Sequence, residues 1–125
     1  MAHLRAVVGD RHPFSSPDKL QQTEHYLTEE FRRIGLDVVR DPFEAFGGAY
    51  RNVIGTVRPS TARDEPALPP LIVAAHYDTV AGSPGADDNA SALAVLLVVA
   101  QQVAVKCLER PVQFVAFCLE EENLL

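Results

Sequence analysis

The residue order predicts an α/β fold with parallel central strands. Its second half runs strand, loop, buried helix, strand, which is a βαβ unit. An amphipathic helix and two strand-like segments precede that unit. No internal repeat or low-complexity tract interrupts the 125 residues, so a single domain over 1–125 is expected.

Ser16-Pro17-Asp18 has the order of a helix start: a hydroxyl N-cap, proline in the first turn, then an acid near the helix dipole. Leu20, Leu27, Phe31 and Ile34 follow at spacings of seven, four and three, which is one helical face. Gly35 supplies a C-terminal stop, so a helix is predicted from Pro17 to Ile34. Its His25 and Glu24, Glu29 and Glu30 read as a solvated face. Leu36–Arg40 and Tyr50–Val57 read as strands, with a turn at Phe43–Gly48. Arg58–Pro70, rich in proline and charge, reads as an exposed connection.

Leu71–Ala75 is a continuous apolar run, as expected for a strand covered on both faces. Gly82-Ser83-Pro84-Gly85 is a loop. Ser91 to Lys106 is apolar nearly all round and predicts a deeply packed helix. Pro111 opens a final strand, Val112–Cys118.

A hydrophobic fraction of 47% and a charged fraction of 22% fit a folded globular chain rather than a disordered one. The formal charge of −6 gives no electrostatic reason to bind nucleic acid or an anionic membrane. Met1–Arg5 lacks a signal-peptide pattern, and the Ala90–Ala100 run is shorter than the roughly 20 residues needed to span a bilayer. Two cysteines, Cys107 and Cys118, do not make a disulfide framework. A reduced, cytoplasmic setting is expected, with both thiols as small buried apolar groups.

In open α/β sheets ligands collect beyond the carboxyl ends of strands. Three clusters fall at such places: His76 and Asp78 after the Leu71 strand, Asp87 and Asp88 before the buried helix, and Glu120, Glu121 and Glu122 after the last strand. Each alone has an ordinary reading, as a loop histidine, helix caps or a solvated acidic run. Together they point elsewhere, because gathered carboxylates repel one another unless a cation neutralises them. Imidazole with carboxylates suits zinc, though manganese or cobalt could use similar donors.

The segments Ala74–Thr79, Pro84–Ser91 and Phe114–Glu121 resemble the co-catalytic zinc aminopeptidase family, which includes glutamate carboxypeptidase-like proteins and glutaminyl cyclases. Arg11-His12-Pro13 through Asn52-Val53-Ile54 is similar to the segment preceding that catalytic core, so the likeness covers nearly the whole chain. The resemblance implies a three-layer zinc-exopeptidase-like fold with a mixed, largely parallel sheet. It implies two zinc ions, with His76 and Glu121 as terminal ligands and Asp88 as the bridge, three residues before Ser91. Asp78 would orient His76, Asp87 would be structural, and Glu120 would be the general base and acid. A cis peptide after the bridging aspartate, at Asp88-Asn89, is also implied. The chain departs from the pattern at Ala92 and Asn123, where the family usually has glycine.

The family takes two more terminal ligands, an aspartate and a histidine, from sequence after the paired glutamates. Only Glu122, Asn123, Leu124 and Leu125 follow here, while His3, His12 and His25 match no ligand position. The expectation is the N-terminal part of a zinc peptidase acting on a peptide or amino-acid amide. Weak metal binding and an open sheet edge prone to self-association go with it. Glutaminyl cyclase or related amidohydrolase chemistry is an alternative; so is a non-catalytic or dimerising module.

Overall fold

A computed structural model describes residues 1–60 and 68–122. Residues 61–67 of the expected connection, and Asn123, lie outside the described residues. The order is α1 (Ala2–Val7), α2 (Pro17–Ile34), β1 (Asp37–Ala45), β2 (Gly48–Val57), β3 (Leu71–His76), a π-helical turn (Ala86–Ser91), α3 (Ala92–Val103) and β4 (Val112–Phe117).

The first helix carries no obvious periodic signal, and only Val7 of it is buried. The second has the predicted bounds, and Leu20, Leu27 and Phe31 enter the core. Gly35 closes it at φ 96°, donating its N–H to Arg32 O. Ser16 makes no side-chain capping bond, so the expected hydroxyl cap is absent. Glu24 is not on a solvated face. It is 6% exposed and lies 3.2 Å from Arg51 Nη1, a partner that only the tertiary fold brings near.

The strands form one mixed sheet in the order β1-β2-β4-β3. The hairpin of β1 and β2 is longer than predicted, pairing through Ala45↔Gly48, because Phe43, Glu44 and Ala45 continue the strand. Pairing of β2 with β4 is antiparallel and of β3 with β4 parallel. The mixed sheet is as expected, but its parallel share among the described strands is one pairing in three. Two of the three expected layers lie within the described residues: this sheet, and a layer of helices that touch one another.

Gly55 marks the closest approach of helix to sheet. A Cβ there would stand 2.8 Å from Leu36 Cδ2 and 2.9 Å from Phe31 Cγ. Gly55→Val is therefore expected to lose about 1–3 kcal/mol of stability by overpacking, read as a lower urea midpoint with unchanged slope.

Leu71 and Ile72 are 53% and 57% exposed, so β3 is not covered on both faces. It is the last strand in the sheet order among the described residues. The third helix is likewise only partly packed. Leu93, Leu96, Leu97 and Ala100 are buried, whereas Val95 and Val98 are 60% and 44% exposed. It stops at Val103, leaving Cys107 in the exposed turn beyond, while Cys118 is buried as expected. Among the described residues, no helix is long and apolar enough to cross a membrane.

Candidate metal centre

Parallel pairing in register His76↔Phe117 sets the ends of β3 and β4 side by side. The chain leaves β3 through Tyr77, Asp78 and Thr79, which are 1%, 0% and 0% exposed. It leaves β4 through Leu119, whose φ of 63° bends the backbone so that two acids follow at once. Between the strands, Gly85 at φ 57° starts the turn carrying Asp87 and Asp88. The Asp88-Asn89 peptide is cis, as the resemblance implied.

These three departures converge on His76. Its Nε2 lies 3.0 Å from Asp88 Oδ1, 3.8 Å from Glu120 Oε2 and 4.0 Å from Glu121 Oε1. One donor atom from each of His76, Glu120 and Glu121 lies within 4.8 Å of the others, a spacing that a single cation can span. The side chains of His76 and Glu121 are 13% and 19% exposed, while those of Asp88 and Glu120 are 72% and 59% exposed. A cavity of about 410 Å³, lined in part by His76, Asn89, Phe117 and Glu120, opens beside them.

Asp78 joins the two strand ends. Its Oδ1 accepts the Glu120 N–H at 3.1 Å, and its Oδ2 accepts the Glu121 N–H at 3.1 Å. His76 Nδ1 sits 3.4 Å from the same carboxylate and 3.2 Å from the Asp78 carbonyl. Burial pushes the Asp78 carboxyl up, but the bonds from His76, Glu121 and Glu120 outweigh it and hold it below the usual carboxylate range. The Asp78 hydrogen bond also raises His76 to about 9, against the opposing effect of burial. Burial raises the Glu121 carboxyl, and the negative charge of Asp88 adds to that. Such mutual repulsion is what a bound cation removes.

The donor chemistry, one imidazole and three carboxylates facing one point, fits a divalent ion of the zinc type. Asp87 does not approach His76; its carbonyl accepts the Ser91 hydroxyl at 2.7 Å, a local structural bond. His25 is exposed on α2. Sequence reasoning missed three residues of the N-terminal segment that reach the site's loops. Asp10 Oδ2 accepts the Gly82 N–H at 3.0 Å. His12 pairs with Glu122 at 2.7 Å. Arg11, wholly buried, lies beneath the strand ends. No periodic pattern reports such contacts, since each joins residues more than 60 positions apart.

The family model of peptidase family M28 matches residues 52–125. Protein YfbL of Escherichia coli, itself uncharacterized, is 32% identical over 128 residues, covering 94% of this chain and 38% of its own length. Aminopeptidase YwaD of Bacillus subtilis is 37% identical over 75 residues, 60% of this chain and 16% of its own. The solved glutaminyl cyclase of Porphyromonas gingivalis superposes at a TM-score of 0.79 with 26% identity, covering 95% of this chain and 44% of that one. A Zn-dependent exopeptidase of Parabacteroides distasonis, at 24% identity and a TM-score of 0.72, shares the fold over 95% of this chain and 45% of its own. The chain thus spans less than half the length of each protein it matches.

Proposed function

Because the chain belongs to peptidase family M28, we propose that it carries part of the active centre of a zinc-dependent aminopeptidase. The observation behind this reading is the convergence of Asp88, Glu120 and Glu121 on His76 Nε2, at 3.0, 3.8 and 4.0 Å. His76 and Glu121 would hold the metal as terminal ligands, and Asp88 would supply the carboxylate shared by two ions. The described residues would offer each ion one terminal ligand and the shared carboxylate, so further donors would be needed to complete either shell. Zinc, when bound, supplies Lewis acidity that lowers the pKa of a water and polarises the scissile carbonyl.

The protein's own groups do the rest. Asp78 fixes the His76 ring and both glutamate N–H groups, holding the donors in place before substrate arrives. Glu120, half open to the cavity, takes a proton from the attacking water and returns it to the leaving amine. The substrate is a peptide or amino-acid amide. A cytoplasmic setting belongs to the same proposal, resting on two free cysteines.

Calorimetric titration of the chain tests the reading. Zinc binding weaker than about 1 μM, worth less than about 8 kcal/mol, is expected, and Asp88→Ala abolishes it. Zinc affinity indifferent to Asp88→Ala would contradict the assignment.

Glutaminyl cyclase chemistry is the second reading, favoured by the 26% identity to the Porphyromonas gingivalis enzyme. Amino-acid amides and peptides with N-terminal glutamine separate the two. Cyclisation without amide hydrolysis would move the assignment to the cyclase branch.

Self-association is proposed through the β3 edge, where Leu71 and Ile72 are 53% and 57% exposed. Sedimentation is expected to show dimers that Ile72→Lys disperses; a monomer at all concentrations would refute this.

A further inference from the structure

We propose that Arg11 is a positioning residue for this centre: its guanidinium fixes the loop that presents Asp88 to His76. The side chain is fully buried, among the largest so enclosed. Its Nε donates to Tyr77 O at 2.7 Å, the residue directly after His76. Its Nη2 donates to Gly85 O at 3.1 Å, three residues before Asp88. Its Nη1 reaches Gly9 O at 2.7 Å, Pro84 O at 3.3 Å and Val7 O. The Arg11 N–H donates to Thr79 Oγ1 at 2.9 Å.

One planar fork therefore ties the end of α1, the exit of β3 and the approach to Asp88. The loop backbone is shaped around it. A Cβ on Gly85 would stand 2.7 Å from Arg11 Nη2 and 2.3 Å from Thr79 Cγ2. Two backbone bonds close the same joint: Gly9 N–H to Pro84 O at 2.7 Å and Ala90 N–H to Gly85 O at 2.9 Å. A lysine, as a point donor on a flexible stem, cannot span three segments.

The zinc consequence rests on the metal-centre reading; the hold on the loop does not. Amide hydrogen exchange by NMR on the metal-free chain, with Arg11→Met and Arg11→Lys, tests the hold directly. The Gly9 and Ala90 amides are expected to exchange about tenfold faster in either variant, while the β1–β2 hairpin amides keep their rates. Unchanged Gly9 and Ala90 rates in a folded variant, or a uniform acceleration across the chain, would overturn the proposal. Should Arg11→Met not fold, Arg11→Lys carries the comparison. In calorimetry the zinc Kd of a folded variant is expected to rise about 10–100-fold. An unchanged Kd with a loosened loop would overturn the link to the metal. Absence of zinc binding by the parent chain would sink the metal reading, and the exchange rates would still decide Arg11's role.

Discussion

Asp78→Ala is expected to cost about 2–4 kcal/mol of folding stability, because it takes the acceptor from two part-buried backbone donors at about 1–2 kcal/mol each. Those donors are the N–H groups of Glu120 and Glu121, each now bonded to one Asp78 oxygen at 3.1 Å. The carboxylate is 0% exposed, so water does not replace it in the intact fold. Asp78→Asn is the informative companion. It keeps one acceptor oxygen and turns an NH₂ toward the other N–H, so its loss is intermediate. Both variants also remove the carboxylate from beside His76 Nδ1, leaving the main-chain carbonyl at 3.2 Å as its partner, and zinc affinity falls about 10–100-fold in whatever fraction remains folded. Urea unfolding with calorimetry on the same samples checks both effects. A stability change within about 0.5 kcal/mol, the range of an ordinary surface substitution, would refute the joining role.

Once the missing donors complete both metal shells, Glu120→Gln is expected to lower hydrolysis of a leucyl amide by about 10²–10⁴-fold with zinc stoichiometry unchanged, the signature of a lost proton carrier. Glu121→Gln is expected to do the reverse in order, losing zinc first and activity with it. The geometry makes this contrast worth measuring, since both acids lie near His76 Nε2, at 3.8 and 4.0 Å. Exposure separates them. Glu121, at 19%, is held among the donors, and Glu120, at 59%, lines the open cavity. Metal loss on Glu120→Gln with retention on Glu121→Gln would exchange the two roles.

Residues whose place depends on local order were legible in the sequence. The spacing of Leu20, Leu27 and Phe31 located α2 to its bounds. The strand, loop, helix, strand order brought His76, Asp88, Glu120 and Glu121 to one point. Residues whose place depends on a distant partner were not legible. Glu24 is buried on α2 and paired with Arg51 of β2, 27 positions away. Arg11 is buried by carbonyls 66 and 74 positions away. The apolar helix α3 misled in the other direction: hydrophobicity all round does not guarantee cover, and Val95 and Val98 stay exposed. Cys107, expected to be a buried thiol, is exposed beyond the end of α3 at Val103.

The central claim is that His76 holds a divalent ion through Nε2, beside Asp88 and Glu121. The chain has four histidines, His3, His12, His25 and His76, which makes histidine ring NMR during zinc titration the most direct measurement. The His76 ring alone is expected to shift, with the change centred on Nε2, and the other three are expected to stay still. Equal shifts of all four rings, or a response from His12 with none from His76, would contradict the account.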